Sequence, residues 1–216
     1  PRDDLQYQLM RARVANHLAA TPEAAIQQFR GELGGNTRSR EASTYGLVLA
    51  LTDAGRVDQA ALELDSIWSG DPDRLEYKLA HAELLMTRGE PGKAAAELER
   101  QLKLSPGSHP LAMAYAQALM RDRKPHIAEA VLLDQGKIRP NDPALWYLLA
   151  EVQGLSGNIV GLHQSRAEYF ILTGNMGEAE KQLSYALKLV GVDHVAAARI
   201  NERLSDVNTL RNRMEI

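Results

Sequence analysis

Six histidines, His17, His81, His109, His126, His163 and His194, are the side chains best suited to acid–base or metal chemistry in this chain. A zinc peptidase helix needs HExxH, two histidines one helical turn apart with a glutamate as base. None of the six is followed by Glu, and no two lie near each other in sequence. His126 and Glu129 make an i, i+3 pair of the kind common on solvated helix surfaces, and two ligands do not make a metal site. Without cysteine there is no thiolate nucleophile, thiolate ligand or disulfide. Gly154-Leu155-Ser156-Gly157 is one residue short of a nucleophile elbow and follows no strand, so it reads as a helix–helix turn. Arg121-Asp122-Arg123-Lys124 is short, contains an acid, and reads as a solvated turn rather than a nucleic-acid contact. No glycine-rich phosphate loop follows a strand. The expectation is a chain with no catalytic, cofactor-binding or metal residues, and so not itself an enzyme.

The elements that would position any other site repeat with a fixed step. Pro72, Pro106 and Pro140 are 34 residues apart, and so are Ala60, Ala94 and Ala128. Each of these alanines is followed four residues later by leucine, at Leu64, Leu98 and Leu132. A 34-residue period with small-then-large slots resembles the tetratricopeptide repeat (TPR), a pair of antiparallel helices stacked on its neighbours. The small residue lets two helix backbones approach, and the larger one a turn later fills the gap beside the crossing. Proline after the second helix stops it. The implied fold class is all-α: a right-handed α-solenoid of TPR-type helix hairpins with a C-terminal capping helix.

In order, the expected repeats span about 4–37, 41–72, 75–106, 109–140, 143–173 and 160–190, with a capping helix at about 193–215, forming one solenoid over 1–216. The first opens on a stripe of Leu5, Leu9, Ala12 and Asn16. Thr21-Pro22-Glu23 supplies an N-cap, a first-position proline and an acid suited to the helix dipole. Gly34-Gly35-Asn36 suits a left-handed C-cap. Asp73 with Glu76 suits an acidic capping box. Gly55 and Gly89 mark turns, whereas Arg123 stands where the next turn glycine is due, so Lys124-Pro125 is expected to make that turn. Asp142-Pro143 caps the fifth repeat, whose small slot holds Leu162. A fresh match starts at Ala167 and Phe170, so residues 160–173 are read as second helix of one repeat and first helix of the next. The final segment sets Ala197, Ile200, Leu204, Val207 and Met214 against Arg199, Glu202, Arg203, Asp206 and Arg213, the two-faced pattern of a terminal cap.

Composition fits. Apolar residues make up 44% and charged residues 25%, which suits a globular or solenoid surface. Aromatics at 5% are too few for a base-stacking surface, and a net charge of −3 gives no electrostatic reason for a polyanion partner. No apolar run reaches membrane-spanning length and no secretory h-region occurs. Pro1 in place of Met is what a processed chain or an excised domain would show.

In TPR arrays the first helix of each repeat lines a concave groove. The corresponding slots here hold Met10, Tyr45, Leu49, Leu79, Glu83, Met86, Met113, Gln117, Met120, Tyr147 and Glu151, which include four of the six methionines. Methionine-rich apolar surface adapts to varied partners, such as an extended or poorly folded polypeptide. The alternative is that individual methionines pack between adjacent first helices. The slots lack the Lys and Asn pattern of TPR domains that clamp a C-terminal carboxylate.

Two segments carry a narrower resemblance: Tyr7-Gln8-Leu9-Met10-Arg11-Ala12-Arg13, and His163-Gln164-Ser165-Arg166-Ala167-Glu168-Tyr169-Phe170 with Gly174 and Glu178-Ala179-Glu180-Lys181-Gln182-Leu183. Both are similar to the C-terminal TPR region of bacterial periplasmic β-barrel assembly-enhancing zinc metallopeptidases. That resemblance implies a non-catalytic region whose HExxH zinc domain lies elsewhere in a parent protein. It also implies a periplasmic location, and as partners the parent's own peptidase domain and outer-membrane barrel-assembly components. Composition alone leaves the cytoplasm open, and a stand-alone TPR adaptor of envelope or secretion machinery is the alternative. Neither nucleic acid nor a membrane span is expected.

Overall fold

The computed structural model describes residues 2–35 and 37–214, with side chains from 5 to 213. Among these residues there are twelve helices and no strand, the all-α class expected. The chain divides into two compact units, Pro1–Leu104 and Ser105–Ile216.

Unit 1 holds α1 (Arg2–Leu18), α2 (Pro22–Gly34), α3 (Arg40–Asp53), α4 (Val57–Trp68), α5 (Leu75–Thr87) and α6 (Pro91–Leu104). Its centre is α3. From Ala42 to Thr52 every residue of this helix is buried, because it carries no charged side chain between Glu41 and Asp53. A helix with no charged face is enclosed rather than half solvated, and α1, α2, α4 and α5 all pack on it. A Cβ added at Gly46 would sit 2.3 Å from the Phe29 ring, so this crossing admits only hydrogen. Thr21 caps α2 as expected, accepting from the Ala24 N–H at 3.1 Å.

Unit 2 holds α7 (His109–Arg121), α8 (Pro125–Ile138), α9 (Pro143–Ser156), α10 (Ile159–Leu172), α11 (Met176–Leu189) and α12 (His194–Met214). Asp142 Oδ1 accepts from the Ala144 and Leu145 N–H groups and caps α9. The helix α10 packs against both α9 and α11. It does so with separate faces: Gly161 and Ser165 are buried on one, Ala167 on another. The small slot is therefore Gly161, one residue before the Leu162 that the period pointed to. The helix α12 buries Ile200 and Val207 against α11, and Asp193 caps it.

The alanine–leucine slots are all buried: Ala60, Leu64, Ala94, Leu98, Ala128 and Leu132. The turn period continues past them. Gly55, Gly89 and Gly157 have φ of 71°, 86° and 80°, and Arg123, in the same 34-residue register, has φ 57°. All four turns close with the same backbone bond, from residue 56, 90, 124 or 158 to the carbonyl five residues earlier. This is the Schellman hydrogen bond of a left-handed C-cap. The third turn is thus made by Arg123 itself, with Pro125 starting the next helix as expected.

Three further local expectations are corrected. Gly35 is extended (φ −113°, ψ −154°) rather than left-handed, its N–H reaching back to the Glu32 carbonyl; Asn36 lies outside the described residues. Asp73 does not cap α5, whose N-cap is Arg74, because its carboxylate pairs with Lys78 Nζ at 3.2 Å. Arg203 is not on the solvent face of α12. It reaches Glu168 on α10 with Nε and Nη2, at 2.7 and 2.6 Å. The Met214 side chain and Glu215 lie outside the described residues.

Candidate functional site

The eleven expected groove residues fall into two sets, one in each unit. In unit 1 they lie on α1, α3 and α5, the first helices of their hairpins. Tyr45 (0% exposed) and Leu49 are buried and present no surface to a partner, a correction with a plain cause: α1, α2, α4 and α5 all pack on α3 and leave it no open face. Met86 is also buried, at 8% exposed, so it packs within the unit. Leu79 and Glu83 are half-buried, and Met10 is half exposed on α1. Tyr7, Val14 and Leu18, at helical spacing from Met10, continue an exposed apolar stripe along α1.

Glu83 is engaged. Arg13 Nη1 donates to Glu83 Oε1 at 3.1 Å, while Nε and Nη2 donate to Tyr45 Oη at 3.1 and 2.8 Å. One guanidinium thus ties α1 to α3 and α5. Burial alone would lower the Arg13 value, but Glu83 and Tyr45 outweigh it and hold the guanidinium above its ordinary range. Burial pushes the Tyr45 phenol up to about 12, even though Arg13 pulls it the other way. Tyr77 is raised too, by burial and by donating to the Glu41 carboxylate. Arg13, Tyr45 and Glu83 thus form a structural clamp across α1, α3 and α5.

In unit 2, Gln117, Tyr147 and Glu151 are exposed, and Met113 and Met120 are half-buried. Tyr147 is 54% exposed, and its ring meets that of Tyr169 at 5.6 Å between centroids and 61° between planes. Tyr169 in turn meets Phe170 at 5.4 Å and 65°. With Glu151, Arg166 and Gln182 these rings line a cleft of about 190 Å3 between α9, α10 and α11. Sequence reasoning found Tyr147 and Glu151 but missed Arg166, Tyr169 and Gln182. The double role of α10 was the available signal, because it brings a second helix to the same face.

Glu129 on α8 is a polar hub of unit 2. Its carboxylate accepts from Gln153 Nε2, Ser156 Oγ and Asn158 Nδ2, at 3.3, 2.8 and 2.6 Å. Burial would raise this acid, but the bonds from Asn158, Ser156 and Gln153 hold it below the usual carboxylate value. Among the described residues no three His, Asp or Glu side chains gather as metal ligands would. No described helix is long and apolar enough to cross a membrane.

A tetratricopeptide-repeat family model matches residues 85–152. Among solved structures, a tetratricopeptide repeat protein from Parabacteroides merdae ATCC 43184 is 14% identical with a TM-score of 0.52, over 86% of this chain and 77% of that one. MamA MSR-1 C2 is 17% identical with a TM-score of 0.51, over 81% of this chain and 98% of that one. At such identities the likeness shows the fold alone. No curated protein matches the sequence. The family match and the fold likeness together support tetratricopeptide repeats, and repeats of this kind imply a protein–protein interaction scaffold.

Proposed function

We propose, with tetratricopeptide repeats as the premise, that this chain is a docking scaffold for polypeptide and the non-catalytic region of a periplasmic zinc metallopeptidase that assists outer-membrane β-barrel assembly. The scaffold reading is carried by one observation: the first-helix face of unit 2 leaves Gln117, Tyr147 and Glu151 open to solvent. Tyr147 stands with Tyr169 and Phe170 around one cleft, and aromatic side chains are enriched where proteins make contact. The narrower reading is supported by the resemblance of residues 7–13 and 163–183, which lie on α1 and on the α10–α11 hairpin. On this reading the zinc belongs to a peptidase domain outside these residues, and nothing in this chain is assigned to hold it.

The two levels are tested separately. In-cell photocrosslinking from Gln117 should yield adducts with barrel-assembly components or with the parent's own peptidase domain, identified by mass spectrometry. Adducts confined to other envelope proteins, together with a parent gene that encodes no HExxH domain, would replace this reading with a stand-alone adaptor.

A further inference from the structure

The cleft of unit 2 carries more than a place for contact. We propose that it is a single-residue pocket for a neutral aromatic side chain of an extended polypeptide, flanked in the partner by one basic and one acidic residue. This deepens the docking reading above and rests on it.

Size is the first argument. An apolar cavity of about 150 Å3 suffices to bind benzene, and this cleft offers about 190 Å3. That is room for one ring and not for a folded element. Ring geometry is the second. The planes of Tyr147 and Tyr169 meet at 61° and those of Tyr169 and Phe170 at 65°, so the cleft is lined by rings in more than one orientation. Such angled arrangements are the favoured ones between aromatic groups, and add to the gain from area alone. An aliphatic side chain would gain only the area.

Charge decides the rest. Aromatic faces beside a carboxylate would suit a cation, but Arg166 lines the same cleft as Glu151. A cationic side chain would gain from Glu151 but be opposed by Arg166, and an anionic one the reverse, so neither charge is favoured outright. A neutral ring meets neither cost. Both charged groups are exposed, and neither joins an ion pair or hydrogen bond among the described residues. They are therefore free to pair with residues on either side of the anchor, which sets the direction of the bound chain.

Calorimetric titration of the whole chain with acetylated, amidated pentapeptides tests this. The probes are Gly-Lys-Phe-Glu-Gly, its Phe-to-Ala counterpart, and the order-reversed Gly-Glu-Phe-Lys-Gly. The Ala peptide should bind roughly tenfold more weakly than the Phe peptide. Tyr147→Ala should erase that difference while leaving the helical circular dichroism unchanged. The paired swap Glu151→Lys with Arg166→Glu should invert the preference between the two charge orders. Equal binding of Phe and Ala peptides, undiminished discrimination in Tyr147→Ala, or no binding of any probe would overturn the pocket. Those outcomes leave the docking reading standing if Gln117, which lies outside the cleft, still crosslinks to its partners; loss of both removes it as well.

Discussion

Arg123 occupies a backbone conformation that three glycines share at the equivalent turns, with φ 57°. The left-handed region costs a residue with a Cβ about 1–2 kcal/mol, and glycine escapes that clash at some cost in unfolded-chain entropy. Arg123→Gly should therefore stabilise the protein by roughly 1 kcal/mol. A urea midpoint that stays put or falls would count against this account of the turn. Glu129 gives a second residue-scale test. Its folded-state value lies below the unfolded one, so its contribution is full above the unfolded carboxylate value. It is lost as pH falls through the lowered, folded value. Thermal melts of the natural chain and Glu129→Gln should differ at pH 7, with the natural chain higher, and converge in acid. A difference that does not change with pH would show that the carboxylate charge is irrelevant to the α9–α10 turn.

At the scale of the helix, the alanine crossings bear most of the architecture. Ala94 is fully buried, and Ala94→Leu should overpack its crossing and cost roughly 1–3 kcal/mol in a urea melt. This pattern was legible in the sequence because small-then-large pairs recur at a fixed step, and packing allows few residue types at a close crossing. Covered faces were less legible. Tyr45 and Leu49 sit at first-helix slots, yet both are buried in a helix that four others pack on, and repeat position alone does not report what a neighbouring helix covers. The uncharged run from Ala42 to Thr52 held that information, since a helix without charged side chains lacks the face that water would cover. The same limit applies to α10, where the small slot moved to Gly161 because the helix must serve two neighbours. Arg123 was hidden for another reason: nothing in its identity announces a positive φ, and only the register of Gly55, Gly89 and Gly157 points to it.

At the scale of the molecule, the two units use their first-helix faces differently. In unit 1 the face is drawn together by Arg13, Tyr45 and Glu83, leaving the α1 stripe around Met10 as its open apolar surface. In unit 2 the face remains open at Gln117, Tyr147 and Glu151 and carries the aromatic cleft. Polypeptide contact accordingly falls to the open positions of unit 2 and not to exposed apolar residues on second helices, such as Leu62 on α4 and Leu133 on α8. The most direct measurement places a photoreactive residue, one at a time, at positions 117, 147, 62 and 133 of the protein in its own cells. The same discrete polypeptide adducts are expected from 117 and 147, and none from 62 or 133. Adducts of equal yield from all positions, or adducts from 62 and 133 alone, would contradict that expectation.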